Sequence, residues 1–182
     1  MLPRLLLAVA FLAPALAGAR TWQVDPAAST LTFEASYQGD SFDGKFAKFD
    51  ATIVFDAGDV DASSFDVTVD LASVDTNNGD RDSTLTGADF FATDKFPKAH
   101  FRTESFARNA DGAIEAKGQL TIRDQTRPVV LEVHFKETGD GATLDVDTTL
   151  DRKSFGLGAS DDWAEVGDQV PVHAHLVLKA AG

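Results

Sequence analysis

Apolar and polar residues alternate with a period of two along nearly the whole chain. Thr30-Leu31-Thr32-Phe33-Glu34-Ala35 and Phe65-Asp66-Val67-Thr68-Val69-Asp70-Leu71 are clear runs. Successive side chains of a strand leave opposite faces, so this period predicts strands with one greasy and one wet face. The predicted strands are Leu31–Tyr37, Ala51–Phe55, Phe65–Leu71, Ala99–Phe106, Ile114–Ile122, Val129–Phe135, Leu144–Leu150 and Val170–Leu178, with a short lead-in at Trp22–Val24. Turn residues at Gly39-Asp40, Asp111-Gly112 and Gly139-Asp140-Gly141 separate several pairs. Sequential strands joined by short turns favour antiparallel neighbours, hence a sandwich or a barrel.

The alternation also assigns faces. Leu31, Phe33, Ala35 and Tyr37 share one, as do Val129, Leu131, Val133 and Phe135, and Val170, Val172, Ala174, Leu176 and Leu178. Asp66, Thr68, Asp70, Asp145, Asp147, His173 and His175 take the opposite faces. One apolar face per strand suits a closed sheet with a greasy interior. Two segments interrupt the pattern. In Thr76 to Lys98, Asn77 or Asn78 is placed to cap a short helix running through Leu85. Ser154 to Asp168 carries two early glycines and Trp163 as an apolar anchor. Long irregular segments in compact domains are often lids or binding loops.

The N-terminus reads differently from the rest. Arg4 precedes an apolar run from Leu5 to Leu16, and Ala17-Gly18-Ala19 fits a small-x-small cleavage site. These features predict a secretory signal peptide over residues 1–19. The run is too short for a bilayer-spanning helix of about 20 residues. About 160 residues follow, enough for one domain, residues 20–182. Export from a bacterium places that domain in the periplasm. With no cysteine in the chain, disulfides, thiolate metal sites and a cysteine nucleophile are excluded. The formal charge of -13 opposes binding to nucleic acid and to anionic membrane faces. A lipid ligand would therefore be held inside the fold.

Candidate chemistry is thin. His173 and His175 leave the same face of a predicted strand, and that spacing can chelate a metal. A metal-dependent enzyme built on this pair is one alternative, although the face is predicted outward. His134 sits beside Glu132 on another wet face. There is no Gly-x-Ser-x-Gly elbow, His-Glu-x-x-His motif or phosphate-binding loop, and the aspartate-rich stretches lack EF-hand spacing. No catalytic residue, metal site or cofactor is expected.

What remains is aromatic: fourteen Phe against one Tyr and one Met. A filled core in a structural or interaction module is the second alternative. The other reading is a barrel with an apolar cavity, since barrels of about 8 strands can hold one small ligand. On that reading the predicted strands contribute Phe33, Phe55, Val69, Phe101, Leu120 and Leu131 to an apolar tunnel, joined by Phe46 from the stretch between two of them. The two irregular segments contribute Leu85, Phe90, Phe91, Phe155 and Trp163.

Four stretches, WQVDPAASTLTF (Trp22–Phe33), FDGKFAKFDATIVFD (Phe42–Asp56), SVDTNNGDRDSTLTGADFFATDKFPKAHF (Ser73–Phe101) and GQLTIRDQTRPVVLEV (Gly118–Val133), together resemble the YceI-like family. RKSFGLG (Arg152–Gly158) resembles that family's Arg…Phe-Gly segment. The resemblance runs in order from Trp22 to Leu178. It implies an all-β, eight-stranded antiparallel lipocalin-like barrel with a short helical cap. It also implies periplasmic transport, storage or delivery of a long-chain isoprenoid amphiphile, a polyprenyl lipid or a quinone. A membrane cytochrome or another lipid-handling protein, and a second copy of the chain, are the protein partners to consider. Ala28, the neighbourhood of Tyr37, and Thr84 lack histidines common in the family, and Asp124 replaces a glycine. These departures bear on the head group. The acidic balance favours a neutral or weakly polar head over a diphosphate, unless Arg81, Arg102, Arg123, Arg127, Arg152 and Lys153 build a local basic pocket.

Overall fold

A computed structural model describes residues 19–181, so the predicted leader lies outside the described residues except for Ala19. In chain order the strands are β1 (Arg20–Val24), β2 (Thr30–Tyr37), β3 (Asp40–Phe46), β4 (Phe49–Phe55), β5 (Ser64–Asp70), β6 (Val74–Asp75), β7 (Lys98–Arg108), β8 (Ile114–Ile122), β9 (Gln125–Thr138), β10 (Gly141–Asp151) and β11 (Gln169–Ala180). One helix, α1 (Gly79–Thr86), sits between β6 and β7.

Eight strands close a ring in the order β1-β4-β5-β7-β8-β9-β10-β11, and β11 returns to β1 through Leu178–Ala180 against Val24–Trp22. Every pairing is antiparallel. Further along β11, Val172–His175 pairs with β2, which carries β3 and then β6. This three-strand extension raises the wall at one end of the ring, and α1 lies against β6 there. The fold is thus the expected antiparallel barrel with a short helical cap.

Two elements differ from expectation. The sequence pattern predicts no strand at Asp40–Phe46, yet β3 pairs with β2 from Asp40 to Lys45. Its inward positions are Phe42, Gly44 and Phe46, so a glycine interrupts the apolar alternation. The structure shows why: a Cβ on Gly44 would lie 2.2 Å from Cζ of Phe33. The Phe33 ring occupies the space a side chain would need. Gln38 and Gly39 both have positive φ, 54° and 87°, which matches the twist of a tight hairpin turn. The other unpredicted strand, β6, has two residues and no period to read.

The interior divides into two clusters. At the end sealed by β1, Trp22, Phe55, Phe65 and Phe106 are buried to 5% exposure or less, with Phe135 packed against them. Phe55 lies 4.8 Å from Phe135 and 5.9 Å from Phe106, ring centre to ring centre, and Phe65 lies 4.9 Å from Phe106. Trp22 Nε1 donates to the Phe55 carbonyl at 3.1 Å, which satisfies the indole in this dry setting. At the other end Phe33, Leu71, Val74, Phe90, Phe91 and Phe155 form a second cluster along the walls and under the lid.

Candidate functional site

Between these clusters lies an apolar cavity of about 600 Å³. Its floor is made by Ile53, Phe65, Leu144 and Leu176, the upper surface of the sealed cluster. Its walls are the inward positions of the strands, large ones such as Phe33, Phe46 and Phe101 alternating with the smaller Ala35, Ala51, Ala99 and Ala174. All the expected tunnel residues line this space except Phe55. Phe55 is inside the barrel but belongs to the packed plug, so the interior is not a tunnel along its whole length. The correction has a simple cause. Alternation assigns a side chain to the inside but carries no information about what it meets across the barrel.

The lid is built from the two irregular segments. Asn78 caps α1, its side-chain oxygen accepting from the Asp80 and Arg81 amides at 3.1 Å each. Thr76, 3% exposed, ties the helix to β6. Its hydroxyl donates to Asp82 Oδ1 at 2.6 Å and accepts from Arg81 Nε at 2.9 Å. Arg81 Nη2 donates to the Thr76 carbonyl at 3.2 Å, and the guanidinium carbon lies 3.8 Å from the Phe42 ring centre. The Asp-Thr…Arg-Asp part of the long motif therefore anchors the lid helix to β6. The second segment folds around Arg152, which is 4% exposed. Its Nε donates to Gly167 O at 3.0 Å, Nη1 to Leu157 O at 2.8 Å and to Gly158 O, and Nη2 to Val166 O at 2.8 Å, Trp163 O at 3.1 Å and Asp168 at 3.0 Å. One planar cation collects the carbonyls of a whole loop. The two segments meet where the Phe90 and Trp163 rings pack edge to face at 4.9 Å and Trp163 Nε1 donates to Asp89 at 3.2 Å.

The mouth opens beside α1. Asn78, Asp80, Arg81 and Thr84 are the polar lining there, facing Tyr37 and Val166 across the opening. Alternation does not point to these polar residues, because they sit on a helix and a turn. Within the barrel the polar lining is already satisfied: Thr148 Oγ1 donates to Val130 O at 2.9 Å, and every nitrogen of Arg152 is engaged. Of the basic residues considered for a head-group pocket, Arg81 alone combines a place at the mouth with a nitrogen, Nη1, that has no protein partner among the described residues. Arg123 Nη1 bonds to Phe90 O and Gly156 O, and Lys153 pairs with Asp168. Arg127 bonds to Thr126 O and Gln125, and Arg102 is exposed on β7.

The histidines lie outside. His173 Nδ1 is 2.8 Å from Asp147 and His175 Nδ1 is 2.6 Å from Asp145, on the wet face of β10 and β11. Among the described residues no group of three or more His, Cys, Asp or Glu is arranged to hold a metal ion. The His173/His175 pair does not meet the cavity.

A closed antiparallel barrel with a lidded apolar cavity defines the lipocalin-like class of architecture. Within that class the chain belongs to the YceI-like domain family, whose model matches residues 22–178. It is 32% identical over 153 residues to a UPF0312 protein of Vibrio cholerae, covering 79% of this chain and 81% of that one. A UPF0312 protein of Shewanella putrefaciens is 32% identical over 161 residues, 84% of each chain. Among solved structures, BcnA of Burkholderia cenocepacia superposes with a TM-score of 0.80 at 27% identity, over 85% of this chain and 99% of that one. A polyisoprenoid-binding domain from Saccharophagus degradans, implicated in plant cell wall breakdown, shares the fold with a TM-score of 0.69 at 16% identity, over 90% of this chain and 99% of that one.

Proposed function

We propose that this protein carries the hydrocarbon chain of a single isoprenoid amphiphile, a polyprenyl lipid or a quinone, in the barrel with its head at the α1 mouth. The carrying observation is the apolar cavity whose polar lining residues Asn78, Asp80, Arg81 and Thr84 are gathered at one rim. An engineered apolar cavity of about 150 Å³ takes one benzene ring, so about 600 Å³ corresponds to roughly two dozen carbons. At about 0.8 kcal/mol per methylene that chain nominally contributes about 19 kcal/mol, near the non-covalent ceiling before ordering costs are subtracted. Binding on this scale needs no reacting group, and the protein acts as a carrier rather than a catalyst. The predicted leader supports work in the periplasm.

The mouth favours a neutral, hydrogen-bond-accepting head such as a quinone. Arg81 offers its guanidinium there beside the Asp80 carboxylate, so the local charge is balanced rather than cationic. Mature protein from a bacterial host, extracted with organic solvent, is expected to release an isoprenoid quinone or polyprenol by mass spectrometry. Delipidated protein is then expected to bind a quinone more tightly than a diphosphate of equal chain length. Tighter diphosphate binding, weakened by salt and by Arg81→Ala, would overturn the head-group assignment. Failure to bind either would overturn the carrier reading.

A further inference from the structure

The barrel wall has a seam. β9 and β10 pair from Thr138–Gly141 as far as Glu132–Asp147 and no further. Beyond that point Gln125–Leu131 stays bonded to β8, and Thr148–Asp151 stays bonded to β11. Two strands thus diverge while each keeps its other neighbour. Pro128, in the diverging part of β9, has no N–H to offer a ladder, as expected of prolines at sheet edges. Among the described residues one side-chain hydrogen bond crosses the seam, from Thr148 Oγ1 to Val130 O. Behind it Phe155, 2% exposed, plugs the gap from the loop that follows β10.

At this seam a single layer of side chains separates the cavity from the outside. Val129, Thr148, Leu150 and Phe155 border both the inner cavity and an outer groove running over β9, β10 and β11. Two large hydrophobic residues are exposed among the described residues: Tyr37 at 46%, on the mouth, and Val130 at 48%, on the seam. Pro128 and Pro171 continue the apolar strip beside Val130. Glu132, Asp147 and Asp151 edge the groove, so an anionic occupant is disfavoured and an uncharged one is not.

Resting on the carrier reading above, we propose that the seam is a side portal for the ligand's tail. Phe155 swings aside, and the far end of a chain longer than the cavity leaves through the wall to lie along Pro128, Val130 and Pro171. The occupant is the hydrocarbon terminus. Capacity sets when the portal is used: a chain longer than the roughly two dozen carbons the cavity takes has its remainder outside, and the wall shared by cavity and groove at Val129, Thr148, Leu150 and Phe155 is where it would pass.

The test uses delipidated full-length barrel and two polyprenyl alcohols, one of about 20 and one of about 45 carbons, on either side of that capacity. Val130→Asp places a charge in the groove and leaves the cavity lining alone. It is expected to weaken the longer alcohol about 10-fold, the equivalent of losing about two methylenes, and to leave the shorter one unchanged. Because the chain has no cysteine, Val130→Cys takes a single environment-sensitive fluorophore, expected to respond to the longer alcohol and not to the shorter. Equal binding of both alcohols by wild type and Val130→Asp, with a silent label, would show that the barrel swells around the chain and would overturn the portal. Binding of the shorter alcohol alone would show a closed wall and overturn it equally. A label responding to an added extended apolar peptide and not to the longer alcohol would assign the seam to strand pairing. Failure of the shorter alcohol to bind wild type would instead sink the carrier reading on which the portal rests.

Discussion

The two ends of this barrel use the same residue type and reach opposite results. At the sealed end Phe55, Phe65, Phe106 and Phe135 meet across the axis with ring centres 4.8 to 5.9 Å apart. At the lidded end Phe33 and Phe46 pair on the wall at 5.5 Å, and Phe46 touches Phe91 of the lid at 5.9 Å. The difference lies in what stands opposite. An eight-stranded barrel is just wide enough for large side chains to fill it. Ala35, Ala51, Ala99 and Ala174 border the cavity, whereas in the plug rings from facing strands meet. Phenylalanine count therefore says little about whether a barrel is hollow. Whether the rings of facing strands meet across the axis decides it.

The largest expected contrast comes from exchanging the two patterns. Phe55→Ala opens a hole in the plug and is expected to cost about 3–5 kcal/mol of stability, with ligand affinity of the folded protein little changed. Ala51→Phe puts a ring into existing space. Its stability is expected to stay within about 1.5 kcal/mol of wild type, while uptake of the chain falls at least about 10-fold. Urea unfolding and lipid titration on both variants measure this. Equal destabilisation by both would mean that the two ends are packed alike.

This contrast also marks how far the sequence could be read. The strands follow from alternation because burial on one face imposes a period of two, and a helix cap at Asn77 or Asn78 follows from local chemistry, the structure selecting Asn78. The inward faces followed too, which is why the expected cavity residues meet. Phe55 in the plug, the β3 strand behind Gly44 and the β9/β10 seam did not. Each depends on a side-chain contact that alternation does not report: Phe135 for Phe55, Phe33 for Gly44, and Phe155 for the seam. The mouth was obscure for another reason, since polar residues on a short helix resemble any solvated turn.

Two glycines sharpen the comparison at smaller magnitude. A Cβ on Gly118 in β8 would lie 2.3 Å from the Arg102 carbonyl oxygen and 2.8 Å from the Phe101 ring. The first obstacle is backbone held in a ladder. A Cβ on Gly44 meets only the Phe33 ring, which borders the void. Gly118→Ala is expected to cost about 2–3 kcal/mol by overpacking. Gly44→Ala is expected to cost less than about 1 kcal/mol, because the ring rotates into the cavity, and to reduce chain binding instead. Ligand affinity untouched by Gly44→Ala would show that Phe33 has no room to move.

The smallest effect separates the two ends by acidity. At the lidded end the hydrogen bond from Lys153 holds the Asp168 carboxyl below its ordinary value, partial burial opposes this, and the charges of Lys153 and Arg152 add to the lowering. At the sealed end Asp25 is lowered chiefly by the hydrogen bond from Lys179, which joins the segment after β1 to β11. A carboxyl with a lowered folded value contributes stability that is complete above its unfolded value of about 3.9 and is lost as pH falls through the folded one. Asp168 is exposed and Asp25 partly so, and both pairs are reached by solvent and screened by salt, so each contribution is small. Asp168, however, is also the carboxylate partner of buried Arg152, whose remaining bonds hold the 152–168 loop. Acidification below about pH 4 is therefore expected to raise hydrogen exchange in that loop before it raises exchange in the plug. Asp168→Asn is expected to raise exchange in the loop already at pH 7 and to flatten its dependence on acid, and Asp25→Asn to act on β1 and β11 alone. The same acid dependence in the loop of Asp168→Asn as in wild type would remove Asp168 from this role.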